Sequence, residues 1–167
     1  AAALGYSGPQ LARQAVGVVV KMIFEDGFFH ADPHPGNIII LGSPAAPVIG
    51  LIDLGMVGRL GPELRDRTLD LLVAAARKDS YAVADALYAI GRPTTKVDLT
   101  AYRTEVALLA DKYLGRPLKE IEVAALVRDL VQGASKFSIE IPPDFLLVGK
   151  ALMTIEGIGK QLDPELD

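Results

Sequence analysis

The chain has 167 residues, with 17 Lys and Arg against 21 Asp and Glu. The formal charge of −4 is spread without long runs, so a single unit with no nucleic-acid surface is expected. Cysteine is absent, which excludes disulfides and thiolate metal sites and makes the reducing cytoplasmic side the default. Half of the residues are apolar and the mean hydropathy is +0.31, yet no run reaches the roughly 18 consecutive apolar residues that a membrane span requires.

The opening residues lack the basic start and apolar run of a secretory signal, and the chain reads as if it begins in the middle of something. Ser7, Gly8 and Pro9 punctuate the start, and apolar residues at helical spacing from Gln10 to Glu25 predict a first helix that stops at Asp26-Gly27. Two short β-branched runs, Ile38 to Leu41 and Val48 to Ile52, are joined by turn residues and predict one hairpin, with Asp53 just past its second strand. No other segment reads as strand. Beyond Gly61-Pro62, helical periodicity runs from Glu63 to Lys78. Further helices are expected over Tyr81 to Ile90, capped by Asp79 or Ser80, and over Ala101 to Leu114, capped by Asp98 or Thr100. Two more follow over Glu122 to Phe137 and from Pro142-Pro143 to about Lys160. The Leu and Val stripes after Pro62 are expected to be core. The fold class is therefore mostly α with one short β-hairpin.

Chemistry concentrates in "GFFHADPHPGNIII", residues 27–40, which holds both histidines of the chain. Asp32 and Asn37 lie five apart in a loop broken by Pro and Gly, and Asp53 ends the next strand ahead of Leu54-Gly55. Three oxygen-bearing side chains thus gather at one end of a hairpin. Asn37 and Asp53 suit a hard divalent cation such as magnesium, which takes oxygen ligands and shares itself with nucleotide phosphates. Asp32 is then placed to accept a hydroxyl proton or orient a nucleophile, which is the minimum equipment for phosphoryl transfer.

The spacing D-x-x-x-x-N, then a hairpin, then D-x-G is that of the catalytic and metal-binding loops of protein kinases. "FFHADPHPGNI" followed by "LIDLGMVGRL" closely resembles the UbiB/AarF/ADCK family of atypical protein-kinase-like proteins, and the resemblance extends to "EGIGKQLDP" near the end. It implies a protein-kinase-like C-terminal lobe, with a catalytic loop over 28–40, a metal loop over 53–58 and a helical remainder over 62–167. By this resemblance Asp32 takes the catalytic position, while Asn37 and Asp53 hold the metal and, through it, ATP. His30, His34, Gly36 and Gly55 support the loops. Two departures stand out. Ala31 replaces the arginine of H-R-D, which argues against control by a phosphorylated activation loop, and Leu54 replaces the phenylalanine of D-F-G, keeping an apolar plug of another shape.

Met56 to Gly61 lead almost at once into a helix, leaving no platform for a peptide substrate. The resemblance points instead to ATPase or small-molecule kinase activity in ubiquinone or related isoprenoid-lipid metabolism, with a lipid or quinone-precursor substrate and peripheral membrane contact. The phosphate-gripping lysine, its glutamate partner and the covering loop are not in this chain, where Lys21 alone precedes the catalytic loop and sits in a helical pattern. The expected partner is the missing N-terminal lobe of its own protein, without which the chain is inactive, and the apolar composition fits a lobe with an uncovered face.

Three other readings stay open. "HADPHPGN" also resembles the loop of aminoglycoside and choline phosphotransferases, although "LGMVGRL" fits the UbiB pattern better. A metallohydrolase would use His30, Asp32 and His34 on zinc or manganese. A non-catalytic helical interaction module, or pseudokinase remnant, would use the same residues for turns and caps, as Asp and Asn do in many loops.

Overall fold

The computed structural model describes residues 2–166, apart from the side chains of Ala2 and Leu118. These residues group into two compact units, one formed by the chain up to Leu60 together with residues from Leu147 on, the other by Gly61–Leu146.

In the first unit, helix α1 (Gly8–Lys21) starts where Ser7 accepts the Gln10 amide with its hydroxyl, and Pro9 fits a first turn that needs no amide donor. Leu11, Ala15, Val19 and Ile23 follow at intervals of four and are buried. The helix widens into a π turn (Met22–Asp26) and ends at Gly27, whose φ of 65° is left-handed. A Cβ there would lie 2.7 Å from the Leu60 carbonyl oxygen, so glycine is required twice over. Strands β1 (Phe28–His30), β2 (Ile38–Ser43), β3 (Ala46–Leu51) and β4 (Val57–Arg59) complete the local architecture.

The expected hairpin is β2 against β3, antiparallel, with Ile38 opposite Leu51 and Ser43 opposite Ala46. Gln14 on α1 braces it by donating to the Pro47 carbonyl at 2.8 Å. The expectation of a single hairpin is corrected, because β1 pairs antiparallel with β4, Phe28 opposite Arg59 and His30 opposite Val57. This second ladder encloses the first, since β1 precedes β2 and β4 follows β3. Three-residue strands are too short for an alternating pattern to be read from sequence.

Phe29 is fully buried and lies over Gly58 on β4. A Cβ on Gly58 would overlap the Phe29 ring, reaching within 2.8 Å of both Cε atoms and closer to Cζ. Gly58→Ala is therefore expected to destabilise the chain by about 1–3 kcal/mol through overpacking, as measured by urea unfolding. An unchanged unfolding midpoint would mean that the ring is free to move aside.

In the second unit, α2 (Pro62–Ala76), α3 (Ser80–Ile90), α4 (Leu99–Leu114) and α5 (Val123–Lys136) pack in chain order. Asp79 caps α3 through the Ala82 amide and Asp98 caps α4 through the Ala101 amide, each the first of the two caps expected. The core joins Val83, Leu87 and Ile90 of α3 to Tyr102, Val106 and Leu114 of α4 and Leu130 of α5. Tyr102 donates its hydroxyl to the Ala84 carbonyl at 2.8 Å, and burial pushes its phenol pKa up, first by desolvation. A third strand pair, β5 (Arg92–Pro93) with β6 (Ile139–Glu140), again goes beyond the single hairpin expected. Helix α6 (Pro143–Leu162) closes the chain.

The Leu and Val stripes after Pro62 are core only in part. On α2, Thr68 and Ala74 are buried, whereas Leu69, Leu72 and Val73 are 38%, 41% and 47% exposed. Within its unit α2 packs mainly on α3, and one neighbour covers one stripe of a helix that is apolar around more than one side.

Candidate active site

The two nested ladders dictate where the chemistry-bearing loops lie. Ala31 donates its amide to the Met56 carbonyl at 3.0 Å, extending the outer ladder by one pair. Ile52 donates to the Asn37 carbonyl at 3.0 Å, extending the inner one. The segments left over, 32–36 and 53–55, both connect the end of the outer ladder to the end of the inner ladder, so they run side by side. Asp32 begins one segment and Asp53 the other, and Asn37 sits where the first rejoins the sheet.

His30 ties the two ladders together. It is 2% exposed, and its Nδ1 accepts the Asp32 amide at 3.0 Å while its Nε2 reaches the Ile52 carbonyl at 2.8 Å. An accepting Nδ1 requires the ring proton on Nε2, which then donates to Ile52. One imidazole thus fixes the residue at the start of the catalytic loop and the residue just before Asp53.

Asn37 fixes the loop from its other end. Its side-chain Nδ2 donates to the Asp32 carbonyl at 2.9 Å and its own amide donates to the His34 carbonyl at 2.8 Å. With Nδ2 so used, Oδ1 makes no hydrogen bond among the described residues, and it is not one of the sealed, partnerless atoms although the residue is only 5% exposed. A carbonyl oxygen held in place and left without a hydrogen bond is a ready ligand for a hard cation.

Asp53 is exposed, and its backbone carries a φ of 57°, left-handed for a residue with a side chain. Its Oδ1 accepts the Gly55 amide at 3.2 Å, and Oδ2 makes no hydrogen bond among the described residues. Gly36 and Gly55 have no positive φ; the left-handed turn falls on Asp53 itself, and the two glycines instead make room for close side chains. A Cβ on Gly55 would stand 3.1 Å from Asp53 Oδ1, and one on Gly36 would stand 2.8 Å from His34 Cε1. Leu54 is 64% exposed, so it does not act as an apolar plug among the described residues.

Among the described residues no group of three or more His, Cys, Asp or Glu side chains converges as a metal cage. The histidines also fail as zinc ligands on their own geometry. Both ring nitrogens of His30 are engaged, and His34 Nδ1 accepts the Gly36 amide at 3.0 Å. That arrangement counts against the metallohydrolase reading, which needs imidazole lone pairs turned to the metal. The donors that remain, one amide oxygen and one carboxylate, suit magnesium, which completes its shell from water and phosphate.

Comparison with known proteins identifies the family. The ABC1 atypical kinase-like domain family matches residues 1–87, and the UbiB helical domain family matches residues 106–167. The chain belongs to the UbiB/AarF/ADCK family. It is 34% identical over 158 residues to a probable protein kinase UbiB of Marinobacter nauticus, covering 94% of this chain and 29% of that protein. The corresponding protein of Pseudomonas fluorescens is 35% identical over 158 residues, with 94% and 30% covered. An uncharacterized protein of Synechocystis sp., sll1770, is 32% identical over 165 residues, with 99% and 28% covered. The chain thus spans under a third of the length of these curated relatives. No solved structure matches it. Family membership favours the UbiB reading over the aminoglycoside and choline phosphotransferase resemblance. No helix among the described residues is long and apolar enough to cross a membrane.

Sequence reasoning missed the parts of the site made by backbone. The Ile52 and Met56 carbonyls hold His30 and Ala31, and neither residue type announces such a role. The one available signal was the pair of short runs "FFH" and "VGR" flanking the two loops at similar remove.

Proposed function

We propose that this chain supplies the catalytic and metal-binding loops of a UbiB-like ATP-dependent phosphotransferase or ATPase of protein-kinase-like fold. The parent protein uses Mg-ATP and supports ubiquinone or related isoprenoid-lipid metabolism, with peripheral contact to a membrane. The observation that carries the reading is the nesting of the two ladders, because it lays the Asp32 loop beside the Asp53 loop and ties both to Asn37 and His30.

On this reading Asn37 Oδ1 and Asp53 Oδ2 hold the cation. A magnesium ion there supplies charge neutralisation for the nucleotide phosphates. Asp32 takes the proton of the attacking hydroxyl or water as its oxygen bonds to the γ-phosphorus and the bond to the ADP leaving group breaks. Residues that grip the triphosphate from the other side belong to the partner lobe, and the chain alone is inactive.

The test is calorimetric titration with ATP, with and without magnesium, on the full-length protein and on this chain. Binding and slow hydrolysis by the full-length protein, lost on chelation and undetectable in the chain alone, is the expected outcome. No nucleotide binding by a folded full-length protein would overturn the enzymatic reading and leave the helical interaction module.

A further inference from the structure

We propose that His34 is a positioning residue for Asp32, its imidazole locked by the Gly36 amide so that Nε2–H faces and aims the Asp32 carboxylate. The inference rests on the role given to Asp32 above. It adds a residue whose part in the site had extended only to supporting the loop.

The backbone of Asp32 is pinned on both sides, its amide by His30 and its carbonyl by Asn37. Its carboxylate, by contrast, receives no hydrogen bond among the described residues, and the side chain is about one-third exposed, at 32%. A general base with a fixed backbone and a free side chain still samples several rotamers, and misplacement by an ångström is costly in a reaction that depends on positioning. The polar group that the structure sets beside it is His34, with Nε2 3.7 Å from Asp32 Oδ2. That is outside hydrogen-bond range and one small torsional adjustment from it.

The orientation of His34 is built in. Pro35 follows it, and the residue before a proline is driven to extended backbone, as the observed φ of −70° and ψ of 164° show. The Gly36 amide donates to Nδ1 at 3.0 Å, so the ring proton resides on Nε2, the nitrogen nearer Asp32. The ring lies so close over Gly36 that a Cβ there would stand 2.8 Å from Cε1 and 3.0 Å from Nδ1. Glycine at position 36 thus permits the ring placement that sets Nε2 3.7 Å from the carboxylate.

A purely structural histidine would only cap the turn at Pro35–Asn37 through the Gly36 amide. Asp and Asn perform that cap, but both stop short of the Nε2 position, which the longer Gln reaches with an N–H while giving up the cap. In the full-length protein, His34→Gln is expected to keep kcat for ATP turnover within about threefold of wild type. His34→Ala and His34→Asp are expected to lower it about tenfold or more, with KM for ATP moved less than about twofold. In an Asp32→Asn background, His34→Ala is expected to cause no further loss, because its effect passes through that carboxylate.

Equal kcat for His34→Gln and His34→Asp, or an unchanged kcat for His34→Ala, in an enzyme that turns over would overturn this inference while leaving the proposed function standing. A wild-type protein that binds no nucleotide would overturn the proposed function and this inference with it. Should His34→Ala fail to fold, as judged by thermal melting, the Gln and Asp pair decides.

Discussion

Asp53→Ala in the full-length protein is expected to weaken magnesium-dependent ATP binding by about 100-fold or more, the scale on which loss of a metal-site group is felt. Asp53→Gly is expected to lose binding just as completely and yet to unfold within about 1 kcal/mol of wild type. The two variants separate what the site needs from what the turn needs. The left-handed φ of 57° at Asp53 costs a residue with a side chain about 1–2 kcal/mol, a cost that glycine escapes. Glycine also frees the unfolded chain, at about 0.4–1 kcal/mol, and gives up the Oδ1 contact to the Gly55 amide, so the stability terms nearly offset. Lys78 and Ser138 carry the same left-handed φ, so the turn by itself assigns Asp53 no role and the binding arm of the test decides it. Calorimetric titration alongside urea unfolding of both variants checks this. Retained binding in Asp53→Gly would remove Asp53 from the metal site.

What could be read from the sequence divides along physical lines. The helices were legible because each carries its own signal: Leu11, Ala15, Val19 and Ile23 recur at helical spacing, and Ser7, Asp79 and Asp98 cap through side chains that the sequence names. The β2–β3 hairpin was legible because two β-branched runs flank turn residues. The outer ladder was not, since Phe28–His30 and Val57–Arg59 are each too short to show a period and pair across 27 or more residues. Burial on α2 was also out of reach, because which apolar stripe is covered depends on the neighbour and not on the helix.

The candidate site shows the same split. Asp32, Asn37 and Asp53 were found through residue type and spacing, which phosphoryl transfer constrains. The means by which they are brought together, His30 bonding to a backbone carbonyl and the nesting of one ladder in another, use groups that every residue carries and therefore leave little trace in composition. The left-handed turn at Asp53 is hidden for a related reason. Glycine advertises such a turn and aspartate does not, so the sequence drew attention to Gly55 two residues away.

His30→Ala is expected to destabilise the chain by about 2–6 kcal/mol and to lower ATP affinity and turnover together. Two part-buried backbone groups, the Asp32 amide and the Ile52 carbonyl, lose their partner, at about 0.5–1.5 kcal/mol for each hydrogen bond. The vacated imidazole volume adds a cavity penalty beside the fully buried Phe29 and Ala31. Because the same ring fixes the start of the Asp32 loop and the residue before Asp53, both halves of the site loosen at once. His34 variants, whose side chain bonds to the Gly36 amide and lies beside the Asp32 carboxylate, are expected to move kcat more than KM. Amide exchange at Asp32 in the His30→Ala chain, at least about tenfold faster than in wild type, would report the lost hydrogen bond directly. Stability within about 0.5 kcal/mol of wild type, on the scale of an ordinary surface substitution, would mean that the ladders hold together without the histidine that spans them.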